Sequence, residues 1–348
     1  MAKILVWLSW WVDSAVAAHL LIKQWHSVTA WFMKNYISDK WNCTTYQDAE
    51  EAIKVAKFLW IEILSFDLIK EYEDKIIKYI YEWYQNWITP NPDILCNSLI
   101  KFDVFLDKAL ELWFDYIATW HYAKRVEDKW KFKLFRWKDH NKDQSYFLSW
   151  LNQFQLSKSI FPIWDIDKSE VRKIAKEIWL PNAERKDSQW LCFIWQIPIK
   201  KFLEERLQKK EGNILDEKWN VVWKHEWAYF FTIWQRHWLN LNFKSYVINT
   251  NVKDNTVTIW EKDAEDLSSC ELETNNRHRI SEKHDLPLKV KTKIRYRQEP
   301  EDAILQKLDW EKMTIKFTNP QRAIAPWQSV VAYLWEECIW WWIIWIKN

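Results

Sequence analysis

The sequence predicts an α/β protein with a doubly wound parallel sheet over residues 1–205. A small central β-rich domain over 206–278 and an antiparallel β-barrel over 279–348 are predicted to follow. Before residue 205, short apolar runs alternate with helix-length segments, which is typical of parallel strands joined by crossover helices. After it, short alternating runs separated by turn residues indicate antiparallel strands. A third observation is compositional, since the 348 residues include 31 tryptophans and one glycine.

The tryptophans stand where glycines are expected, because average composition would give about 24 glycines in a chain of this length. Four follow helix-like stretches, at the helix-end position where a left-handed backbone favours glycine: Trp25, Trp60, Trp113 and Trp179. Trp10 and Trp11 lie in a tight loop, and 340–342 is a run of three that an ordinary core could not pack. We predict a gene from a lineage that reads UGA as glycine, so that most tryptophans stand for glycines. The alternative is a genuinely tryptophan-rich protein; residues are named below as written.

The elements of the first part follow from its apolar pattern. The predicted strands are 3–8, 26–33, 61–66 and 115–119. The predicted helices are 12–24, 47–59, 69–85, 98–112 and 165–178, the last opened by an aspartate-rich cap. Because strands and helices alternate, the strands are expected to form a parallel sheet.

The second part is predicted to be all β. Strand-like runs occur at 228–233, 244–250 and 255–261 in the central domain. The runs at 288–297, 312–318, 328–334 and 338–346 are typical of a small antiparallel barrel. The last of them is the most apolar stretch of the chain, and its nine residues are too few to span a bilayer.

Composition excludes several classes of protein. Charged residues are 28% and the net charge is +2, which permits an RNA partner without requiring one. The five cysteines form no CxxC pair and no zinc-like spacing, so we expect a reducing cytoplasm and no bound metal. The N-terminal apolar run is too short for a signal peptide, so we expect a soluble, cytoplasmic protein without membrane contact.

The segment Leu8–Ser14 (LSWWVDS) carries the strongest local signal, because it joins the first strand to the first helix. With glycines restored it reads LSGGVDS. Backbone N–H groups in such a loop form an anion site, to which Ser9 and Ser14 add hydroxyls. Asp13 adds a carboxylate that orders the loop or binds Mg²⁺. The segment resembles the pyrophosphate loop of the N-type ATP pyrophosphatases and lacks the lysine of a Walker A loop, which disfavours γ-phosphoryl transfer. The structural alternative is a capped helix after a turn.

Two further motifs contain cysteine. TPNPDILCN at 89–97 places Asp93 three residues before Cys96, and KDSQWLCFIW at 186–195 places Cys192 beyond a polar turn. A single cysteine in such a place is more often a small buried apolar residue. Two cysteines in two polar loops are better explained as a redox or sulfur-relay pair.

With these motifs, the chain resembles the bacterial tRNA-specific 2-thiouridylase (MnmA) family nearly end to end. The remaining matches occur in order: ATWHYA at 118–123, KDQSYFL at 142–148, FTIWQRHWL at 231–239, RYR at 295–297 and APWQSVVAY at 325–333. Each departure in these motifs is a tryptophan where the family has glycine.

The resemblance implies a role for each matching residue. Cys192 would carry the persulfide sulfur, and Cys96 would attack it and form a catalytic-cycle disulfide with Cys192. Asp93 would be the acid/base near the target uridine, with Asn91 and Pro92 shaping the pocket. ATP would contact Trp7, Leu8, Ser9, Trp10, Trp11, Val12, Asp13, Ser14, Met33 and Trp120. The tRNA would contact His121, Lys142, Asp143, Gln144, Arg295, Tyr296 and Gln328.

The implied reaction is ATP-dependent 2-thiolation of the wobble uridine of tRNA. ATP, with Mg²⁺, would adenylate the uracil C2 oxygen, and a persulfide-donating carrier or cysteine desulfurase would supply the sulfur. One competing hypothesis is another ATP-pyrophosphatase ligase, which the two cysteine motifs disfavour. The other is an inactive tRNA-binding protein, which requires the tryptophans to be genuine.

Some assignments have a structural explanation from the residues alone. His121 could be a core histidine, and Lys293, Arg295 and Arg297 could form a solvated strand face rather than a phosphate contact. Cys43, Cys270 and Cys338 are expected to be structural.

Overall fold

The computed structural model describes residues 1–35, 45–86, 88–185, 199–235, 243–251, 253–260, 268–281, 283–307 and 312–345. The strands are β1 (Lys3–Trp7), β2 (Ser27–Lys34), β3 (Ile63–Asp67), β4 (Tyr116–Ala118), β5 (Lys124–Asp128), β6 (Lys131–Phe135), β7 (Ser159–Ile160), β8 (Gly212–Leu215), β9 (Val221–His225), β10 (Tyr246–Asn251), β11 (Thr256–Trp260), β12 (Ser268–Arg279), β13 (Leu288–Lys293), β14 (Glu301–Lys307), β15 (Met313–Arg322), β16 (Ser329–Leu334) and β17 (Glu337–Trp345).

The helices lie almost entirely in the first 205 residues. They are α1 (Val12–Lys23), α2 (Thr45–Phe58), α3 (Ile69–Tyr72), α4 (Lys78–Gln85), α5 (Pro92–Cys96), α6 (Phe105–Glu111), α7 (Ser145–Leu148), α8 (Gln153–Ser157), α9 (Lys168–Glu177) and α10 (Ile199–Glu204). Wider π-helical turns at Glu73–Ile77 and Asn97–Val104 join α3 to α4 and α5 to α6, and a 3₁₀ turn covers Ala228–Phe230. None of the helices described is long and apolar enough to cross a membrane.

The N-terminal half is a parallel sheet in the order β3-β2-β1-β4-β7. The chain leaves β1 in one direction to β2 and β3 and then returns to β4 on the other side of β1. This reversal creates a crevice beyond the carboxyl ends of β1 and β4, where ligands of such sheets bind. The predicted doubly wound sheet is confirmed.

Alternate residues of β1 and Leu8, which follows it, face two separate cores. Ile4, Val6 and Leu8 pack with α1, α2 and α9, whereas Leu5 and Trp7 pack with α3 to α6 on the opposite face. All five side chains are at most 2% exposed. The period of two follows from strand geometry, and helices on both faces keep the strand buried.

The central region forms a four-stranded sheet in the order β10-β11-β8-β9 over a small core of Ile214, Val247, Val257 and Ile259. Gly212 begins β8, and a Cβ there would lie 2.0 Å from the carbonyl oxygen of Asn255. The single glycine of the chain therefore occupies a position that no other residue could take without moving the backbone.

The C-terminal region is a closed six-stranded barrel in the order β12-β15-β14-β13-β16-β17, completed by pairing of β12 with β17. The predicted antiparallel β-barrel is confirmed. Its first strand, Ser268–Arg279, begins before residue 279, which is where the barrel was expected to start. The hairpin β5–β6, which was not predicted, pairs with β17 and so extends the barrel sheet from the N-terminal half.

The four helix-end tryptophans have the left-handed backbone predicted for them. Their φ angles are 63° at Trp25, 56° at Trp60, 61° at Trp113 and 58° at Trp179. Each side chain is at least 84% exposed, so the indole gains little packing in return for the strain. The geometry is the one that favours glycine at a helix end.

Candidate active site

The loop between β1 and α1 closes on itself through its two serines. The Ser14 hydroxyl lies 3.0 Å from the Ser9 hydroxyl and contacts the carbonyls of Ser9 and Trp11 at 3.0 and 2.9 Å. It also accepts the Ser9 backbone N–H at 3.1 Å. The helix begins after Trp11, which provides no side-chain cap. The α1 N-terminus therefore faces the crevice with its positive dipole end uncapped by a side chain, as an anion site requires.

Asp13 is held from two sides. The Lys168 ammonium lies 2.6 Å from each of its carboxylate oxygens, and the Tyr122 hydroxyl donates to Oδ1 at 2.8 Å. Lys168 is the first residue of α9, whereas Tyr122 follows β4. The carboxylate is thus fixed by two elements that the sequence places far apart.

The segment after α9 also contacts the loop. The Asn182 side-chain amide donates to the Trp10 carbonyl at 3.0 Å, and the Arg185 guanidinium lies 5.7 Å from the ring centres of both Trp10 and Trp11. Arg185 also pairs with the buried Asp48 at 3.5 Å. One stretch of chain, Lys168 to Arg185, therefore borders the loop on one side.

The carboxyl ends of β1 and β4 carry Trp7 and Trp120, whose ring centres are 6.3 Å apart. The Lys101 ammonium lies 5.8 Å from the Trp7 ring and 5.4 Å from the Trp120 ring. Met33, at the end of β2, is 4% exposed. The residues expected to contact ATP therefore gather at one end of the sheet, although indoles now occupy the crevice there.

Cys96 lies in a helix rather than in the polar loop that the sequence analysis described. Asn91 caps α5 by accepting the Ile94 N–H, and Pro92 occupies the first turn. Asp93 is half-buried, and Cys96, the last residue of α5, is 3% exposed. An Asn cap followed by proline is a helix-start signal that could have been recognised in the sequence. Cys192 and the whole 186–195 motif lie outside the described residues.

His121 is a buried histidine with both ring nitrogens satisfied. Nε2 lies 3.1 Å from Asn97 Oδ1, and Nδ1 lies 2.8 Å from the Thr119 hydroxyl. Asn97 donates its amide to the Phe147 carbonyl, which orients Oδ1 towards the ring, so Nε2 carries the proton. Burial, with a smaller effect of the Lys101 charge, lowers the pKa of His121 well below 6.5, so the ring is neutral. The expected tRNA contact is a core histidine here, tied to the residue after Cys96.

Asp143 is completely buried, whereas Lys142 beside it is exposed. Its carboxylate accepts the Trp137 and Ser145 N–H groups at 3.1 Å each and lies 3.6 Å from Arg136 and 3.9 Å from Lys293. The structure therefore places Asp143 inside the protein, at the contact with the barrel, rather than on a surface that tRNA could reach.

Gln144 is half-buried and makes two hydrogen bonds to the backbone of Tyr122, which follows β4. Its backbone N–H donates to the Tyr122 carbonyl at 2.9 Å, and its side-chain oxygen accepts the Tyr122 N–H at 3.0 Å. Gln144 therefore supports the residue that contacts Asp13.

Two barrel residues expected to contact tRNA, Gln328 and Tyr296, lie beside the segment from Thr89 to Cys96, called the Asp93 segment below. Gln328 donates its side-chain amide to the Thr89 carbonyl at 2.9 Å, and the Tyr296 ring packs 4.3 Å from that of Phe147. Burial raises the pKa of Tyr296 to about 12, and the charges of Asp143 and, less strongly, Asp93 act in the same direction. Arg295 is exposed and donates to the Ala323 carbonyl. The barrel thus borders the segment from Thr89 to Cys96.

Sequence reasoning missed several residues of this region: Asn97, Lys101, Tyr122 and Lys168. Asn97 and Tyr122 stand inside motifs that were recognised, but nothing local assigns them a partner. Lys168 is separated from Asp13 by 155 residues. Among the described residues, no group of three or more His, Cys, Asp or Glu side chains could hold a metal ion.

Comparison with known families matches three models along the chain. Residues 2–196 match a model described as a tRNA methyl transferase HUP domain, and 200–261 match the PRC-barrel domain of the same name. Residues 269–339 match an aminomethyltransferase β-barrel domain.

Curated relatives cover nearly the whole chain. A tRNA-specific 2-thiouridylase from Akkermansia muciniphila is 38% identical over 341 residues, which are 96% of each chain. The enzyme of the same name from Flavobacterium johnsoniae is also 38% identical, over 97% of this chain and 98% of its own. Among solved structures, the U34-tRNA thiolase NcsA from Methanococcus maripaludis is 17% identical with a TM-score of 0.38, covering 59% of this chain and 64% of its own. On its sequence, this chain belongs to the tRNA-specific 2-thiouridylase family.

Proposed function

We propose that this protein thiolates tRNA with the energy of ATP, converting the wobble uridine to 2-thiouridine. One observation carries the proposal: the nucleotide loop and the cysteine helix meet at the same end of the sheet. His121 follows the crevice residue Trp120, Asn97 follows Cys96, and their side chains are bonded at 3.1 Å. Relatives that are 38% identical over 96% of the chain are named for this activity.

The first step is activation of the base. The C2 oxygen of uracil is a poor leaving group, so it attacks the α-phosphorus of ATP and pyrophosphate leaves. The N-terminus of α1, which has no side-chain cap, is suited to bind the negative phosphates. The hydroxyls of Ser9 and Ser14 bond each other and the loop backbone, so they hold the loop in shape. Asp13 is the single carboxylate of the loop, and Mg²⁺ bound to ATP commonly takes one or two protein carboxylates. Asp13 would be the protein ligand of such an ion, although both of its oxygens lie 2.6 Å from the Lys168 ammonium in this structure. The geometry therefore favours the other role expected for Asp13, which is to order the loop.

The second step transfers sulfur. The terminal sulfur of a Cys192 persulfide attacks C2 and AMP leaves, which joins the base to Cys192 through a disulfide. The Cys96 thiolate then attacks the Cys192 sulfur, the S–S bond to the base breaks, and 2-thiouridine leaves with the electron pair. The product on the protein is a Cys96–Cys192 disulfide, which an external thiol must reduce. A persulfide-donating protein then reloads Cys192, and we assign to Asp93 the transfer of the proton at the base.

The RNA must present an unstacked base to this site. Anticodon-loop bases are already unpaired, so little energy is needed to extrude one. The barrel borders the Asp93 segment through Gln328 and Tyr296, so we assign it the backbone of the RNA.

The test compares cysteine variants with the parent. Cys192→Ser and Cys96→Ser should each abolish 2-thiouridine formation, measured by mass spectrometry of digested tRNA. ATP binding and pyrophosphate release should survive in both, because the nucleotide loop is a separate element. AMP release should fall in Cys192→Ser, because no persulfide is left to displace AMP. Cys270→Ser is the matched control, since Cys270 is an exposed barrel cysteine. Parental thiolation by either variant would remove that cysteine from the relay.

A second candidate function rests on the indoles in the crevice. Trp7 and Trp10 are 2% and 8% exposed at the positions where ATP would lie. If these residues are genuine tryptophans, the protein binds tRNA without catalysis. Calorimetry with ATP distinguishes the two functions, using the chain as written and a chain with glycine at 7, 10, 11 and 120. Binding by the glycine form alone supports an enzyme whose tryptophans stand for glycines.

A further inference from the structure

The nucleotide loop of this chain has no lysine of its own, yet a lysine reaches it from another element. Lys168 begins α9 and contacts both carboxylate oxygens of Asp13 at 2.6 Å. The side chains of Lys168 and Asp13 are only 17% and 14% exposed, so water screens the pair weakly. The interaction between the two charges is therefore stronger than in an ion pair exposed on the surface.

The position of Asp13 explains why a second element is needed. Asp13 lies in the first turn of α1, where a free carboxylate could fold back onto the N–H groups of its own helix. Those N–H groups are the ones that should face the phosphates. Lys168 and Tyr122 hold the carboxylate away from them, from α9 and from the end of β4.

We propose that Lys168 is a positioning residue for ATP binding, which acts by holding Asp13 beside the phosphate loop, with Tyr122 as the secondary support. The role rests on the proposed function, because it concerns the same nucleotide site. It explains how a loop without a Walker lysine keeps its acidic residue oriented. Lys168 brings one positive charge to the edge of the loop, which also offsets the repulsion between Asp13 and the incoming phosphates.

The experiment measures ATP affinity by calorimetry without tRNA. The parent protein is the one made with the genetic code of the source organism, so that any UGA codons are read as that organism reads them. Lys168→Met should weaken binding roughly 10- to 100-fold, the loss expected for one charged hydrogen-bonded contact. Lys168→Arg should retain most of the affinity because it keeps the charge. Tyr122→Phe, which loses one neutral donor, should cost roughly 2- to 10-fold. The tRNA affinity should stay at the parental value in Lys168→Met, whereas the melting temperature should fall, because the Asp13 charge loses its partner in a mostly buried place.

The matched control is Lys173→Met on the same helix. Lys173 is exposed and pairs only with Glu170 and Glu177 of α9 among the ion pairs described, at 3.7 and 3.8 Å. It should bind ATP like the parent. Equal affinity of Lys168→Met and the parent would overturn the proposal.

A double-mutant cycle decides whether Lys168 acts through Asp13. In an Asp13→Asn background, Lys168→Met should add little further loss, whereas two independent contacts would give additive losses and overturn the role proposed. ATP binding and AMP release by the parent protein show whether a failure concerns this inference or the proposed function. A parent that binds no ATP and releases no AMP with tRNA overturns both, whereas an active parent with a silent Lys168→Met overturns only the inference.

Discussion

At the scale of single residues, the indole side chains are poorly accommodated in two kinds of place. Nine tryptophans of the described chain have a left-handed backbone, with φ between 56° and 74°. In the interior, the indole N–H groups of five have no hydrogen-bond partner: Trp31, Trp137, Trp150, Trp341 and Trp342. Glycine would suit both kinds of position better than tryptophan. In the exposed turns it would relieve the backbone strain, and in the core it has no polar side-chain group to leave unpaired.

The first prediction is that glycine stabilises the protein at a left-handed site. Trp60 is 94% exposed with φ 56°, so Trp60→Gly should raise the free energy of unfolding by about 1 kcal/mol. Trp223, 54% exposed within β9, is not among the left-handed residues, and Trp223→Gly should give no gain because glycine weakens a strand. Urea unfolding measures both. If the tryptophans stand for glycines, the gene should carry UGA at 10, 11, 60, 113 and 340–342.

The second prediction concerns His121 and pH. Its folded pKa is lowered below 6.5, so the unfolded chain takes up a proton that the folded chain does not. The free energy of unfolding should therefore fall as the pH drops below 6.5, by at most about 1.4 kcal/mol per pH unit for this group. Burial lowers the pKa of His225 and His278 in the same sense. Urea titrations between pH 7.5 and 5 should give a shallower slope for His121→Gln than for the parent; equal slopes would contradict the assignment.

At the scale of elements, the sequence predicted those parts that have a local cause. Apolar periodicity predicts β1, α1 and α9, and the Trp positions past helix ends predict where four helices stop. The helix at Pro92 was placed in a loop because its polar TPNPD start hides the Asn cap. The β5–β6 hairpin was missed because its two-residue turn, with φ 46° at Lys129 and 67° at Trp130, lacks the glycine that usually announces such a turn.

The third prediction tests how the cysteine helix is anchored. Asn97 bonds both His121 and the Phe147 carbonyl, so Asn97→Ala leaves a buried ring N–H unpaired and should destabilise the protein by about 1–3 kcal/mol. Because Asn97 follows Cys96, we expect thiolation to slow more than ATP binding weakens. Ser98→Ala is the neighbouring control, since that hydroxyl bonds only the Leu95 carbonyl of its own helix among the contacts described. Similar losses in the two variants would contradict an anchoring role.

At the scale of the whole molecule, buried polar groups join the N-terminal half to the barrel. Asp143 lies near Lys293 of β13, and the Tyr146 hydroxyl donates to the Ser329 carbonyl at 2.8 Å. Burial raises the pKa of the Cys338 thiol of β17 well above its ordinary value, so this cysteine is a neutral core residue. Asp143 was expected to contact tRNA because of the family resemblance alone. Its partner Lys293 is 150 residues away in the sequence, so no local pattern reveals this contact with the barrel.

The fourth prediction concerns the division of labour between sheet and barrel. Arg295 lies just beyond β13, next to Tyr296 in the chain, and is exposed. If it contacts a tRNA phosphate, Arg295→Ala should reduce the slope of log affinity against log salt by about one unit, because one fewer counterion is released. ATP affinity should be unchanged, since the nucleotide loop lies at the end of β1.

The control for this salt series is Lys289→Ala, which removes the same charge from the exposed far end of β13. It should leave the slope at the parental value, so that a change specific to Arg295 reports position rather than net charge. Because Arg295 also donates to the Ala323 carbonyl, the melting temperature of Arg295→Ala must be measured as well. A lowered melting temperature with an unchanged salt slope would make Arg295 a support of the barrel turn and would remove it from the RNA surface.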